Sequence, residues 1–578
     1  MKCVRAEHPR PQMVRPNWTN LNGVWDFTFD FGRTGMERDL QNAKTLDKEI
    51  IVPFCPESSL SGIGYTDIIP AVWYHRTFDV TREAMSGRVL LHFEAVDYVC
   101  HVWINGQFAG RHEGGFTPFT FDITELVKEG ENSVNVYAED DIRNPLQPRG
   151  KQSERYASQG CDYTRVTGIW QTVWLEFVPE VYISSYRCTP DVDNQRIKLE
   201  VSLNNICKNG RIFAKASYDG RTVGEKEVPV YGKKAELDVT LDEMHLWQPL
   251  AAELYDLELV LKTGEESLDC VTGYFGMRSL ILTDNALLIN GRPVFQRLVL
   301  DQGYYPDGIW TAPDEEALKK DIELSIALGF NGARMHQKVF ERRYLYWADK
   351  LGYLIWGEYS SWGIDVTDSR VLEKYAIPWL ESVERDYNSP ALIGWCPLNE
   401  TWDCDGRRQD DRLIQSIYRI TKAADPTRPV IDTSGHYHVE TDIFDVHDYE
   451  QDVEKFAEHY EEMKQGGAAY VTYPDRQQHH GQPYFVSEYG GLLWNESKED
   501  GWGYGNAPKT VEEFTERYVG LAKVLLDNPH ICALCYTQLY DVEQEKNGLY
   551  TYGRKAKFDE ATMKRLHDAM AAKAAIEW

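Results

Sequence analysis

From about residue 281 onward the chain repeats one unit. A short apolar run is followed by a polar, helix-forming stretch, and then the next run begins. Eight such runs can be read: "PVFQRLVL", "FNGARMHQ", "YLIWGEYS", "LIGWCPLNE", "PVIDTS", "IFDVHDY", "PYFVSEYG" and "ICALCYTQL". Stretches such as "DEEALKKDIELSIALG" and "VEEFTERYVGLAKVLLD" lie between them with helical periodicity. Strands buried on both faces read as continuous apolar runs, and helices between them imply parallel pairing. Eight repeats over roughly 300 residues predict a closed (β/α)8 barrel. An open doubly wound sheet is the alternative. No glycine-rich phosphate loop follows any of the runs, so a nucleotide fold gains no support.

The chain upstream has a different rhythm. Residues 1–180 alternate apolar and polar residues in "GVWDFTFDF", "VWYHRTFDV" and "NSVNVYAED". Asn105-Gly106 between apolar flanks signals a two-residue hairpin. This predicts a β-sandwich. Residues 181–280 continue as short strands ("IKLEVSLNN", "KAELDVTL", "LYDLELVLK") at the spacing of a small immunoglobulin-like sandwich. Three domains are therefore expected, 1–180, 181–280 and 281–578, in a β plus α/β chain.

Composition narrows the function. The net charge is −29, with no basic footprint for nucleic acid. No run approaches the roughly 18 apolar residues of a membrane span. The N-terminal segment shows no secretory h-region. The 11 cysteines lack CxxC or metal-like spacing and read as reduced thiols, so a cytoplasmic location is expected. Aromatic residues make up 12 %, a supply of faces on which sugars and other flat groups stack.

Catalytic groups of a parallel barrel sit where its strands end. The ends read here are Asp301, Arg334, His336, Glu358, Asn399, Glu400, His447, Tyr449, Glu488 and Tyr489. A carboxylate at the end of an apolar strand costs free energy unless it is paired, hydrated or used. Two of them, Glu400 and Glu488, on separate strands of one barrel mouth are the minimum apparatus for glycoside hydrolysis. One attacks the anomeric carbon; the other protonates the leaving oxygen and then activates water.

The same segments carry a resemblance. "NSPALIGWCPLNE" resembles the acid/base segment of glycoside hydrolase family two, and "FVSEYGG" its nucleophile segment. "CDYTRVTGIWQTVWLE" resembles the segment that closes the N-terminal jelly roll of that family. The resemblance spans essentially the whole chain and implies a jelly-roll sugar-binding sandwich, an immunoglobulin-like sandwich and a TIM barrel. It implies Glu400 as acid/base, Glu488 as nucleophile, Asn399 on the sugar 2-hydroxyl and Tyr449 on the nucleophile. It also implies Asp162, from the first domain, on the glycone hydroxyls, and Tyr536 at the place of a stacking aromatic.

The departures concern specificity. The strand-two segment "ARMHQKVF" keeps Arg334 and His336, lacks the usual proline, and adds the cation Lys338. The Asn-x-Lys clamp with which β-glucuronidases hold a uronate is not reproduced in "EQEKNG", where Glu545, Lys546 and Asn547 stand. Gln171 replaces a frequent arginine. The resemblance thus implies a retaining exo-β-glycosidase acting on an oligosaccharide or small glycoside. A terminal β-D-galactoside is the first expectation and a β-hexuronide, read by Lys338, the second. A carbohydrate-binding protein without catalysis is the alternative from another class. No cofactor and no metal are expected, since Glu358 has no evident second ligand. A homo-oligomer is compatible with the sequence.

Overall fold

The computed structural model describes residues 4–495 and 501–577. The first sandwich packs a four-stranded sheet, in the order Trp18–Asn20, Val173–Val178, Arg88–Phe93, Phe119–Asp122, against a six-stranded one. Its central strands, Ala71–Val80 and Gly130–Glu139, pair antiparallel along their full length. The predicted hairpin joins Val99–Ile104 to Gln107–Glu113. Both turn residues, Asn105 and Gly106, are left-handed (φ 50° and 79°), as a type I′ turn requires. The second sandwich packs a three-stranded sheet centred on Arg196–Leu203 against a four-stranded one built on Gly210–Tyr218 and Tyr255–Thr263.

The third unit is the barrel. Its strands are β1 (Gln296–Asp301), β2 (Gly332–Met335), β3 (Leu354–Glu358), β4 (Leu392–Cys396), β5 (Thr433–Ser434), β6 (Phe444–Asp448), β7 (Tyr484–Gly490) and β8 (Ile531–Thr537). All eight predicted runs supply one. The parallel ladder runs β4-β3-β2-β1-β8-β7-β6. Pro397 has no N–H to donate and follows the last residue of β4. The chain resumes at Leu398–Asn399, which pairs with β5 instead. The ring closes between β5 and β6 through side chains, Ser434 Oγ donating to Asp445 Oδ2 at 2.6 Å.

Helix alternation is less regular than the sequence implies. Among the described residues seven helices follow the strands: α1 (Glu315–Ile326), α2 (Arg342–Leu351), α3 (Val371–Asp386), α4 (Asp411–Ala424), α5 (Val453–Lys464), α6 (Val511–Leu526) and α7 (Glu560–Met570). Among the described residues no helix lies between β5 and β6. The link 435–443 is too short to carry one, and side chains hold it. Asp432 Oδ2 accepts from the backbone N–H groups of Val439 (2.7 Å) and Glu440 (3.1 Å). His438 bridges Asp432 Oδ1 (2.7 Å) and Asp445 Oδ1 (3.0 Å).

The first sandwich reaches over the barrel mouth. Arg149 N–H donates to Trp362 O at 2.7 Å, and Gly150 N–H to Ser360 O at 3.1 Å. Gln544 Nε2 donates to the carbonyls of Gly160 (2.7 Å) and Asp162 (3.0 Å). Behind this loop, buried Trp170 and Trp310 meet edge to face with centroids 5.2 Å apart. The segment 149–164, remote from the barrel in sequence, is therefore part of the barrel's wall.

Among the described residues no helix is long and apolar enough to cross a membrane. The ten cysteines within those residues are free thiols.

Candidate active site

The strand that the "LIGWC" run forms is buried throughout. After Leu398–Asn399 the chain must turn out of the barrel, and Glu400 does so with a left-handed backbone (φ 47°). Its N–H donates to Ser434 O at 2.9 Å. A non-glycine residue in that region costs of order 1–3 kcal/mol and persists where its surroundings fix it. Opposite, the β6–β7 ladder shifts register after Val446, and β7 is irregular against β8 between Val486 and Tyr489. Such bulges re-aim side chains. They put His447 level with Glu488.

Glu400, His447 and Glu488 present atoms that all lie within 4.8 Å of one another. The nearest oxygens of the two carboxylates are therefore no more than 4.8 Å apart, which is compatible with the ~5–5.5 Å carboxyl spacing of a double displacement. His447 Nδ1 lies 2.7 Å from Glu400 Oε1, and its Nε2 lies 3.4 Å from Glu488 Oε1. Burial opposes charge on His447, but Glu488 and Glu400 hold the imidazole above its ordinary value. Burial likewise opposes ionisation of Glu400. The hydrogen bond and charge of His447, helped by Lys151, nevertheless bring that carboxyl below the usual range. These three groups are clustered as cation ligands would be, with His447 hydrogen-bonded to Glu400.

Glu488 is held on both oxygens. Tyr449 Oη donates to Oε2 at 2.5 Å, and Arg334 Nη1 donates to Oε1 at 3.2 Å. Tyr504 stacks on the Tyr449 ring at 3.6 Å and fixes its angle. The Arg334 guanidinium also donates from Nε to Glu358 (2.5 Å) and from Nη2 to Asn399 Oδ1 (2.8 Å). That bond settles which way the Asn399 amide points: its Nδ2 is buried and has no hydrogen-bond partner among the described residues. Glu358 accepts from His336 Nδ1 at 3.0 Å, leaving His336 Nε2 directed to Glu488 at 4.0 Å. Burial works against both charges. Arg334 and His336 still hold Glu358 below the ordinary carboxylate range, while burial pushes His336 itself down. Glu358 is thus committed to positioning Arg334 and His336.

Asp162 stands at the rim, 3.1 Å from Arg149 Nη1, and lines the same cleft as Glu400. Two expected residues lie elsewhere. Lys338 is buried and donates to the carbonyls of Gly303 (2.6 Å) and Trp310 (2.7 Å), among the rings of Trp170, Trp310 and Phe340. Burial pushes its ammonium down to about 7. Its ammonium is engaged by these carbonyls under the first domain. Tyr536 points the other way from its strand neighbours. Its ring meets Tyr518 of α6 at 5.0 Å and Tyr489 at 5.6 Å, in the layer between barrel and helices. The period of two along β8 explains this: Thr537, one residue on, faces the mouth and lies 3.2 Å from Tyr449 Oη.

The cation that does stand at the mouth is Lys151, from the first domain. It is 6 % exposed, and its Nζ lies 4.1 Å from the centre of the Trp362 ring. Among the described residues its ammonium donates no hydrogen bond. Burial opposes its charge, but Cys161 and the carboxylates of Glu545, Glu488 and Glu400 hold it above the ordinary lysine value. Glu545, where the Asn-x-Lys clamp would begin, is buried, accepts from Tyr163 Oη and from Asn547 Nδ2 (2.9 Å), and is pushed up by burial. No signal in the sequence marks Lys151, and Glu545 is marked only by its place in the altered clamp segment, because their neighbours come from another domain. His447 is legible as a strand end, but its contact with both glutamates is not.

Three β-rich and α/β units in this order, with two carboxylates at a barrel mouth, define the class of a glycoside hydrolase. Comparison gives the family. The description "Glycosyl hydrolases family 2, sugar binding domain" matches residues 59–179, "Glycosyl hydrolases family 2" residues 181–278, and its "TIM barrel domain" residues 280–518. The chain belongs to glycosyl hydrolases family 2. A β-galactosidase of Thermoanaerobacter pseudethanolicus is 27 % identical over 375 residues, covering 62 % of this chain and 48 % of that protein. A β-glucuronidase of Sus scrofa is 27 % identical over 465 residues, covering 71 % of this chain and 67 % of that protein. The chain thus spans about half of the first relative and two thirds of the second. Among solved structures, the β-glucuronidase of Ruminococcus gnavus superposes with a TM-score of 0.80 at 18 % identity, covering 98 % of this chain and all of that one. A β-glucuronidase of Bifidobacterium dentium gives 0.81 at 20 %, covering 98 % and 99 %. Both show likeness of fold.

Proposed function

We propose that this protein is a retaining exo-β-glycosidase in which Glu488 is the nucleophile and Glu400 the acid/base. The short approach of the two carboxylates at the barrel mouth carries this reading. Glu488, held by Arg334 and Tyr449, attacks the anomeric carbon. Glu400 delivers the proton it shares with His447 to the leaving oxygen, then takes one from the water that releases the sugar. On this reading the Asn399 amide binds the 2-hydroxyl, and Asp162 and His336 bind other hydroxyls of the glycone.

Two glycones remain in view, a terminal β-D-galactoside and a β-D-hexuronide. Lys338 lends no support to the second, but Lys151 does. A buried ammonium without a hydrogen-bond partner is costly, and a sugar carboxylate would supply that partner. This favours the hexuronide. The opposing charge of Glu545 is what a neutral glycone would leave as the partner of Lys151. Hydrolysis of 4-nitrophenyl β-galactoside, β-glucuronide and β-galacturonide, by wild type and Lys151→Met, separates the two. With a uronide as substrate, Lys151→Met lowers kcat/KM for uronides relative to galactoside by roughly 30-fold or more. An equal loss on all three rejects the uronide reading. An inverted product anomer rejects the double displacement.

A further inference from the structure

The proposed chemistry also fixes where the rest of the substrate lies. Glu400 protonates the leaving oxygen, so the aglycone occupies the space on Glu400's open side. A cleft of about 360 Å³ opens there, with Glu400 in its wall. Its apolar walls are Trp362, Ile364, Val366, Leu398 and Trp402. We infer that this cleft is the aglycone subsite and that it receives a planar apolar leaving group, an aromatic ring system, rather than a second sugar.

Two observations favour the aromatic occupant. The first is the pair of indoles. Trp362 is tied to the catalytic segment, its Nε1 donating to Asn399 O at 3.0 Å. Trp402, two residues past Glu400, is 53 % exposed. Its ring is oriented, standing edge to face on His436 with centroids 3.9 Å apart. His436 is itself fixed by Thr401 O and Tyr473 Oη, each at 3.1 Å. An oriented indole left in water beside an acid/base group lacks only a stacking partner. The second observation is the state of the polar groups in the lining. A sugar needs partners for its hydroxyls, and most of these groups are already engaged. Arg149 pairs with Asp162, Asp403 with Arg476 at 2.7 Å, Ser361 Oγ accepts from Gln337 Nε2 at 3.0 Å, and Thr401 Oγ1 donates to Gln409. Apart from Glu400 and the Asn399 amide, both assigned to the glycone side, what remains free is aromatic and aliphatic surface.

The inference rests on the glycosidase reading, and its test separates the two. With whichever glycone the enzyme accepts, KM and kcat are measured for the 2-naphthyl glycoside, the methyl glycoside and a disaccharide bearing that glycone. The enzymes compared are wild type, Trp402→Ala and Trp402→Phe, with free 2-naphthol as a competitive inhibitor. Trp402→Ala is expected to raise KM for the naphthyl glycoside and Ki for 2-naphthol roughly tenfold. It leaves the methyl glycoside unchanged, and Trp402→Phe restores most of the loss. Equal behaviour of naphthyl and methyl glycosides overturns the aglycone site while the glycosidase reading stands. A disaccharide that outperforms the naphthyl glycoside and depends on Trp402 overturns the aromatic assignment in favour of a sugar. No turnover of any glycoside by the wild type overturns the glycosidase reading, and this site with it.

Discussion

At the residue scale, His447 and Glu400 share one proton. Either an imidazolium faces a carboxylate, or a neutral imidazole faces the carboxylic acid that the first chemical step consumes. His447 is raised and Glu400 lowered, so the pair releases its proton above the ordinary imidazole value of about 6.5. The basic limb of kcat/KM is expected there. In His447→Gln, Glu400 must hold the proton unaided, and the limb should move acidward by roughly one pH unit. A limb that stays in place would show that this proton is not the one used. Replacement of Glu488 by Ala should lower kcat on the order of 10⁴-fold or more, because no covalent intermediate can form. Formate should restore part of it with an inverted product; a retained anomer would remove Glu488 from the nucleophile's place. Lys338 bonds carbonyls under the first domain, so Lys338→Met should change the ratio of uronide to galactoside hydrolysis by about threefold or less, while stability falls as two buried carbonyls lose their donor. A selective loss on uronides would return Lys338 to the site.

At the element scale, the link between β5 and β6 is the exception in the barrel, and His438 takes the place of a helix there. Burial opposes its charge, but Asp432 and Asp445 raise it to about 10. The unfolded value is about 6.5. A group whose folded value is raised contributes stability in full below its unfolded value and loses it as pH rises to the folded one. Part of the wild-type stability should therefore disappear between pH 6.5 and about 10. His438→Asn leaves two buried carboxylates without their cation. It should cost on the order of 3–5 kcal/mol at pH 6 and remove that part of the pH slope. Thermal unfolding of both proteins from pH 6 to 10 measures this; parallel curves would mean that His438 is not a charged brace. The predicted strand–helix alternation missed this link because counting apolar runs registers the strands and says nothing of the length between two of them.

At the scale of the whole molecule, the barrel mouth is completed by another domain. Lys151, Asp162 and Tyr163 arrive on one loop of the first sandwich, and Trp170 anchors that sandwich on the barrel through Trp310 and through its carbonyl, which accepts from Thr311 Oγ1 at 2.5 Å. Trp170 is fully buried. Trp170→Ala should cost about 3–5 kcal/mol. Because the loop sits on that joint, activity should be lost at a lower urea concentration than barrel helicity. Coincident loss of both would show that the joint and the barrel unfold as one.

The sequence by itself determined the strands of the barrel, the two sandwiches and the two glutamates. Each is written locally, as an apolar run, an alternation of period two, or a carboxylate where an apolar strand stops. The period of two also orients β8, and it sends Tyr536 outward. The tertiary structure decided what the long polar side chains do. Whether Lys338 or Lys151 stands at the glycone depends on which carbonyls and carboxylates surround each ammonium, and those come from segments hundreds of residues away. The same holds for Glu358, whose partners make it a brace, and for His447, whose contact with both glutamates requires irregular register on facing strands. Charges act through space over a few ångströms, and only the folded chain sets those distances.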